Sequence, residues 1–427
     1  MVHMPHWPKN IVTDPNKKDL SRMLNLLEAL DNPHKKLPHT IHVAGTNGKG
    51  SSCAMLQYIL QQAKYKVCMY TSPHILEFNE RIILNGSKID DMLLFHYLER
   101  VRIATEKFDI NPTFFESITA AAFLAFSEAN SHFLILETGM GGRLDPTNVV
   151  LYPILTLITT ISYDHTEYLG DTIEKIAYEK AGIIKEKIPC VIGMQFPKAM
   201  EVLLEKCEKQ NSPAICYEYD FVPEKLKQGF AFYSRLGNTN IKKFNMQGDH
   251  QIVNASAVLA ACKLINNNFC KIPDQDIKYA LEKVQWPGRI QKISLNGLFK
   301  DIKKHCWVDA AHNAKGAASL SHWLKEQNFK NITLIFGMTK NRDVYKFISQ
   351  FQELNIKFYS APVLSEFDSY SSERLAEIAG REGINVEVQN SLIEALEQAF
   401  LDKNNPEIII TGSIFLISDL FKIIRKL

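Results

Sequence analysis

The stretch Ile41 to Ser52, IHVAGTNGKGSS, sets three glycines around one lysine, directly after an apolar run and directly before a helical pattern. A strand, a glycine loop and a helix in that order form a phosphate-binding loop, and they commit this part of the chain to a parallel sheet with helices returning over it. Glycine lets backbone N–H groups turn inward on a polyphosphate, and a helix starting near Ser51 adds the positive end of its dipole. Within Thr46, Asn47, Gly48, Lys49, Gly50 and Ser51, the lysine is placed to bridge outer phosphates and the Ser51 hydroxyl to reach an accompanying magnesium ion. The spacing departs from G-x-x-x-x-G-K-[ST], because position 43 is Val and Gly50 separates Lys49 from Ser51.

The alternation continues along the chain. Short apolar runs predict strands over 40–44, 66–70, 133–137 and 154–158, and amphipathic runs predict helices over 51–63, 91–106 and 115–128. Region 211–245 loses this regularity and reads as an antiparallel excursion. A second series follows Trp286-Pro287-Gly288-Arg289, with strands near Trp307 and over 331–336, 357–360 and 407–411. The expected fold is therefore α/β: an N-terminal phosphate-loop ATPase domain over 1–293 with a mostly parallel sheet, then a smaller Rossmann-like α/β domain over 294–427. A chain of 427 residues, 46% hydrophobic, is too long for one ordinary core and fits two domains.

Composition excludes several classes. The net charge of +2, without a block of like charges, argues against a nucleic-acid binder and leaves a small anionic substrate compatible. The eight cysteines contain no C-x-x-C pair, so neither a zinc site nor a disulfide framework is indicated. No apolar run reaches the roughly 18 residues that cross a bilayer, and the N-terminus lacks a signal-peptide core, so a soluble cytoplasmic protein without membrane contact is expected.

Polar residues gather at the predicted carboxyl ends of strands, where open α/β sheets bind ligands. Ser72-Pro73-His74 follows the second strand, Glu137 to Arg143 (ETGMGGR) the third, and Ser162-Tyr163-Asp164-His165 the fourth. Magnesium takes oxygen ligands and keeps several waters, so Glu137 is the best carboxylate for it. A helix-capping glutamate is the plainer reading of Glu137, and a structural imidazole that of His165.

The segments HVAGTNGKGS, TSPHI with NERI, FFESITAAAF, LETGMGGRLDPTN, DHTEYLG with IAYEKAGIIK, WPGR, DAAHN and TGSIFLI resemble, in order, those of folylpolyglutamate and dihydrofolate synthases of the Mur ligase superfamily, bacterial bifunctional type. The resemblance covers nearly the whole chain. It implies an ATP-dependent amide ligase that phosphorylates a carboxylate and lets the amino group of L-glutamate attack the acyl phosphate. Its substrates are dihydropteroate and the glutamate tail of reduced folates.

By the same resemblance Ser72 and Glu137 hold one magnesium ion and His165 a second, with Lys49, Lys180, His165 and His312 catalytic. Lys180, in Glu179-Lys180-Ala181-Gly182, matches a lysine that is carbamylated in the family; a surface lysine paired with Glu179 is the alternative. Asn254, Arg289 and Asp309 match nucleotide contacts, the last two implying domain closure over ATP, and His312 and Ser413 lie near the incoming glutamate. Thr113, Phe114, Phe115 and Glu116, with Leu144, Asp145 and Pro146, match pterin-contacting segments. Phe114 and Phe115 could stack on a flat heterocycle or belong to the core.

Two departures stand out. Asn341 replaces the first acid of an Asp-Lys-Asp run, and Pro146 a small residue. A cell-wall Mur ligase would need a nucleotide-sugar domain ahead of the loop, where roughly 40 residues stand. Further alternatives are a ligase with only one of the two folate activities and a regulatory ATP-binding protein; the second is disfavoured because Lys49, Glu137, His165 and Lys180 are all present. A monomer is expected.

Overall fold

The computed structural model describes residues 19–295, 298–299 and 304–425. The chain forms two units. The first runs to Asn245 and adds Gln251–Val284; the second takes Met246–His250 and the chain from Gln285 onward.

In the first unit, strands β1 (His39–Ala44), β2 (Val67–Tyr70), β3 (Ile82–Leu84), β4 (Ser87–Lys88), β5 (Phe133–Glu137), β6 (Leu155–Ile158), β7 (Cys190–Ile192) and β8 (Ala214–Cys216) form one sheet in the order β4-β3-β2-β5-β1-β6-β7-β8. All neighbours are parallel except the two pairs made by β3. Strands β2, β5 and β6 are buried along their whole length, the mark of a parallel sheet covered on both faces. Helices α1 (Ser21–Ala29), α2 (Lys49–Gln62), α3 (Asp91–Lys107), α4 (Phe114–Glu128), α5 (Thr166–Leu169) and α6 (Ile173–Ala181) cross between the strands. Leu134 and Leu136 of β5 join Phe123 and Phe126 of α4 and Val101 of α3 in one apolar cluster. Ile158 of β6, Ile192 of β7 and Ile176 of α6 form another.

Strands β7 and β8, at three residues each, are too short to leave a period in the sequence. The aromatic region 211–245 holds an antiparallel meander of β9 (Phe221–Lys225), β10 (Phe230–Ser234) and β11 (Thr239–Ile241).

The second unit is a six-stranded sheet of β12 (Gln291–Ile293), β13 (His305–Val308), β14 (Ile332–Phe336), β15 (Ile356–Ser360), β16 (Val386–Val388) and β17 (Glu407–Thr411), ordered β12-β13-β17-β14-β15-β16. Only β12 runs antiparallel. Trp323, Phe336, Phe347 and Phe351 fill its main cluster. The fold is thus the α/β arrangement expected from the sequence. Among the described residues, no helix is long and apolar enough to cross a membrane.

Candidate functional site

The glycine loop 45–50 joins β1 to α2, in the middle of the first sheet. Gly48 takes φ +91°, and a Cβ there would lie 2.4 Å from the Asn254 side chain, so the turn requires glycine and seats Asn254 against the loop. The Lys49 ammonium donates to the Gly45 and Thr46 carbonyls at 3.1 and 3.3 Å and stands 4.0 Å from a Glu137 oxygen. The Ser51 hydroxyl, at the start of α2, is buried without a hydrogen-bond partner. A buried orphan hydroxyl costs about 1–3 kcal/mol, so this one fits a ligand that arrives with ATP.

Glu137, at the end of β5, is buried, and its other oxygen accepts the Ser72 N–H at 3.1 Å. Ser72 and Glu137 therefore meet through the Ser72 backbone N–H. The Ser72 loop is braced from within: the Glu80 carboxylate accepts the N–H groups of Ile75, Leu76 and Glu77 at 2.7, 3.0 and 2.9 Å, and Arg81 donates to His74 Nδ1 at 2.9 Å. Thus the NERI motif serves to shape the loop. His165 occupies the left-handed region at φ 49° and caps α5, with its N–H on the Asp164 carboxylate at 2.9 Å. Asp164 also lies 3.9 Å from the His165 imidazole.

Lys180 ends α6 inside the protein, 4% exposed, and its ammonium nitrogen lies 2.8 Å from the Gly45 carbonyl oxygen. Two lysines thus converge on one phosphate-loop carbonyl. Burial, reinforced by the Lys49 cation and only partly offset by Asp145, pushes Lys180 far below the ordinary lysine range. Burial thus favours the neutral amine, the nucleophile that attacks carbon dioxide, and this buried environment differs from a surface pairing with Glu179.

Glu179 instead pairs with Arg143 at 2.8 Å, and the Arg143 N–H donates to the Glu179 carbonyl at 2.7 Å. A Cβ on Gly182 would meet Arg143 Cα at 2.3 Å, and one on Gly142 the Lys180 carbonyl at 2.8 Å. Two main chains touch here, which explains glycine in both the GGR and EKAG motifs. Asn148 joins them by donating to the Arg143 and Gly182 carbonyls at 3.0 and 3.1 Å.

The residues matched to pterin contacts are engaged in shaping the fold around them. Thr113 and Glu116 close a capping box on α4, and the buried Glu116 carboxylate pairs with Arg22 at 2.7 Å. The T-x-x-E spacing before an apolar run is legible as that box. Phe115 packs on Gly139, which could bear no Cβ within 2.4 Å of the ring, and lies 6.0 Å from Tyr70; Phe114 meets Phe78 at 6.1 Å. Both rings are partly exposed beside the core. Leu144 is half-buried, while Asp145 accepts the Met140 and Thr147 N–H groups at 2.9 and 3.0 Å. Pro146 begins a 3-10 turn, a position that suits its fixed φ and missing N–H.

In the second unit, Asp309 follows β13 and is buried, with its oxygens accepting the Ile290 and Ala311 N–H groups, both at 2.9 Å. Burial raises its pKa, against the opposing pull of Arg289 and of these two donors. Ile290 sits at φ 42°, a conformation that a β-branched residue seldom takes, so Asp309 locks a strained turn beside Arg289. Arg289 itself donates to the Gly288 carbonyl at 2.9 Å. His312 Nδ1 lies 2.9 Å from the Ala310 carbonyl, and the Ser413 hydroxyl accepts the Phe415 N–H at 3.1 Å. At the departure from the acid run, the Asn341 side-chain oxygen accepts from Thr339 at 2.7 Å.

Sequence reasoning missed the residues that hold the phosphate loop. The Thr46 and Asn47 N–H groups both donate to the Thr160 carbonyl, at 3.0 and 3.1 Å. No local pattern announces such a pairing between loops after β1 and β6.

Residues 43–262 match the Mur ligase middle domain, and residues 291–423 match the dihydrofolate synthetase C-terminal domain. The dihydrofolate synthase/folylpolyglutamate synthase of Bacillus subtilis is 34% identical over 95% of both chains, and the folylpolyglutamate synthase of Lacticaseibacillus casei is 32% identical over 94% of this chain and 93% of its own. The Mycobacterium tuberculosis folylpolyglutamate synthase, solved with ADP and AMPPCP, superposes with a TM-score of 0.84 at 27% identity, covering 95% of both chains. E. coli FolC with DHPP and ADP gives 0.87 at 25% identity, covering 98% of this chain and 96% of the other. A glycine loop facing a carboxylate and a buried lysine, on a fold shared with these enzymes over nearly all of the described chain, places the chain in the dihydrofolate synthase/folylpolyglutamate synthase family of Mur-type ligases.

Proposed function

We propose that this enzyme, an ATP-dependent ligase, joins L-glutamate by an amide bond both to dihydropteroate and to the glutamate tail of reduced folates. The observation that supports this most strongly is the pair of lysines on the Gly45 carbonyl: Lys49 beside Glu137, and Lys180 buried in a setting that favours the neutral amine.

When bound, ATP would supply the phosphoryl group that activates the substrate carboxylate, and magnesium would neutralise the charge gathering between two anions. Lys49 would stabilise the outer phosphates, and Asn254 would border the nucleotide. Ser51, Ser72 and Glu137 would serve as oxygen ligands for one magnesium ion and His165 for a second. Lys180, once carbamylated, would present two anionic oxygens to metal in place of a cation. Carbamylation forms one N–C bond between the neutral amine and carbon dioxide and releases one proton. By resemblance, Arg289 and Asp309 would serve the nucleotide and His312 and Ser413 the incoming glutamate. Phe114, Phe115 and Leu144 offer partly exposed apolar surface for the pterin.

The test is to incubate the purified protein with ATP, magnesium and L-glutamate, offering dihydropteroate or tetrahydrofolate, and to identify products by mass. Glutamate added to both is the expected result. Addition to one alone would reduce the reading to a single activity, and addition to neither by a folded, ATP-binding protein would overturn it in favour of a regulatory role. Lys49→Ala should abolish ATP turnover while the circular dichroism spectrum stays unchanged.

A further inference from the structure

We propose that Asn148 is a positioning residue for Lys180: its side-chain amide ties the end of α6 to the Arg143 segment and so sets where the Lys180 amine stands when carbon dioxide adds to it. This rests on the reading that Lys180 of this ligase is carbamylated.

A helix leaves its last carbonyls without partners of its own. At the end of α6 the segment 142–148 takes two of them. The Glu179 carbonyl accepts the Arg143 N–H at 2.7 Å, and the Gly182 carbonyl accepts the Asn148 side-chain amide at 3.1 Å. Lys180 lies between these two anchors, and its nitrogen reaches the Gly45 carbonyl at 2.8 Å. The same Asn148 nitrogen donates to the Arg143 carbonyl at 3.0 Å, so one side chain closes the frame.

Chemistry fixes which way that amide points. Lysine only donates, and the Lys185 ammonium lies 2.8 Å from the other end of the Asn148 side chain, which is therefore its oxygen. Asn148 is 7% exposed, with both ends of its amide engaged. Arg143 also pairs with Glu179 through its guanidinium, but that side chain is 41% exposed, where an ion pair holds geometry weakly. Burial and a donor shared by two carbonyls single out Asn148 as the residue that holds the frame. Carbamylation forms one N–C bond from the amine lone pair to carbon dioxide and releases one proton to water. An amine anchored on both sides in the chain cannot search for that geometry, so a shift at the end of α6 falls directly on this step.

Carbon-13 NMR with labelled bicarbonate, together with turnover at graded bicarbonate, tests the assignment in wild type, Asn148→Asp and Lys185→Met. Asn148→Asp keeps the volume and the oxygen facing Lys185 and removes the donor to the two carbonyls. It should need about tenfold more bicarbonate for a half-maximal carbamate signal. Its kcat at ambient carbon dioxide should fall about tenfold and recover at high bicarbonate, while KM for ATP stays within about twofold. In a Lys180→Met background the same substitution should change the residual rate less than about twofold. Lys185→Met leaves the amide bridge in place and should keep the carbamate signal within about twofold of wild type. An unchanged signal in Asn148→Asp, a loss of turnover that bicarbonate does not restore, or an equal loss in the Lys180→Met background would each overturn the proposal. So would a tenfold weaker signal in Lys185→Met, which decides the matter even where Asn148→Asp does not fold. Wild type with neither a carbamate signal nor bicarbonate dependence would instead overturn the reading of Lys180, and this inference with it.

Discussion

The two parallel sheets present polar residues at the same carboxyl edge and treat them differently. In the second unit the backbone nearby satisfies them: Asp309 takes two N–H groups, His312 meets the Ala310 carbonyl, and Ser413 accepts from Phe415. In the first unit Lys49 and Lys180 crowd one carbonyl, and the Ser51 and Ser162 hydroxyls are buried without partners. One edge is finished by folding, apart from the buried Ser360 hydroxyl at the end of β15. The other is left destabilised in the way that sites awaiting charged ligands are, because groups arranged for a ligand are poorly served without it.

Substituting Lys180 should break this contrast most sharply. Lys180→Met, close in volume and without the amine, should lower glutamate addition by about 10³-fold, equivalent to about 4 kcal/mol in the barrier. It should also raise the thermal midpoint of the ligand-free protein by about 2 °C or more, since an uncharged side chain replaces an ammonium that burial disfavours. In wild type, 13C-labelled bicarbonate should give a carbamate resonance that the variant lacks. A Lys180→Met protein that is less stable and still active would show that the lysine is an ordinary structural residue.

Asp309 should respond in the opposite sense for the protein without ligand. Asp309→Ala leaves the Ile290 and Ala311 N–H groups without their acceptor and releases the strained turn at Ile290, so unfolding of the second unit in urea should become easier by about 3 kcal/mol. Asp309→Asn, which keeps one acceptor oxygen, should lose about half as much. A cost below about 0.5 kcal/mol for Asp309→Ala would place Asp309 with the unsatisfied groups of the first unit and erase the distinction.

The contrast also marks how far the sequence could be read. Strands of four to six residues flanked by long helices were legible, because both-face burial writes continuous apolar runs such as FLILE at Phe133–Glu137. The three-residue strands β7, β8, β12 and β16 were not, since so few residues set no period. At the site, Lys49, Ser72, Glu137 and Lys180 could be named from their motifs, but their relation could not. That both lysines reach Gly45, and that Thr160 takes two loop amides, depends on β1 and β6 being neighbours while their loops lie more than a hundred residues apart. Within TFFE, resemblance drew attention to ligand contact where local chemistry alone spells out a capping box.

The smallest expected effect concerns a feature that the two units share. Burial, then the nearby Lys185, pushes His42 in β1 down to about 3, and burial, then Arg289, pushes His250 down to about 4, from an ordinary 6.5. Below pH 6.5 the unfolded chain takes up a proton at each position while the folded chain does not, until its own depressed pKa is reached. Each residue therefore contributes stability that is whole above pH 6.5 and is lost on acidification at about 1.4 kcal/mol per pH unit. His42 Nε2 lies 2.9 Å from the Thr147 hydroxyl, whose threonine is bonded in turn to Asp145. His42→Gln keeps a polar group at that place and does not titrate, so its unfolding free energy between pH 6 and 4 should fall less steeply than wild type by about 1.4 kcal/mol per pH unit. Equal slopes would mean that the His42 site admits a proton on the folded chain, and that the interior of the first sheet is as open to charge as its carboxyl edge.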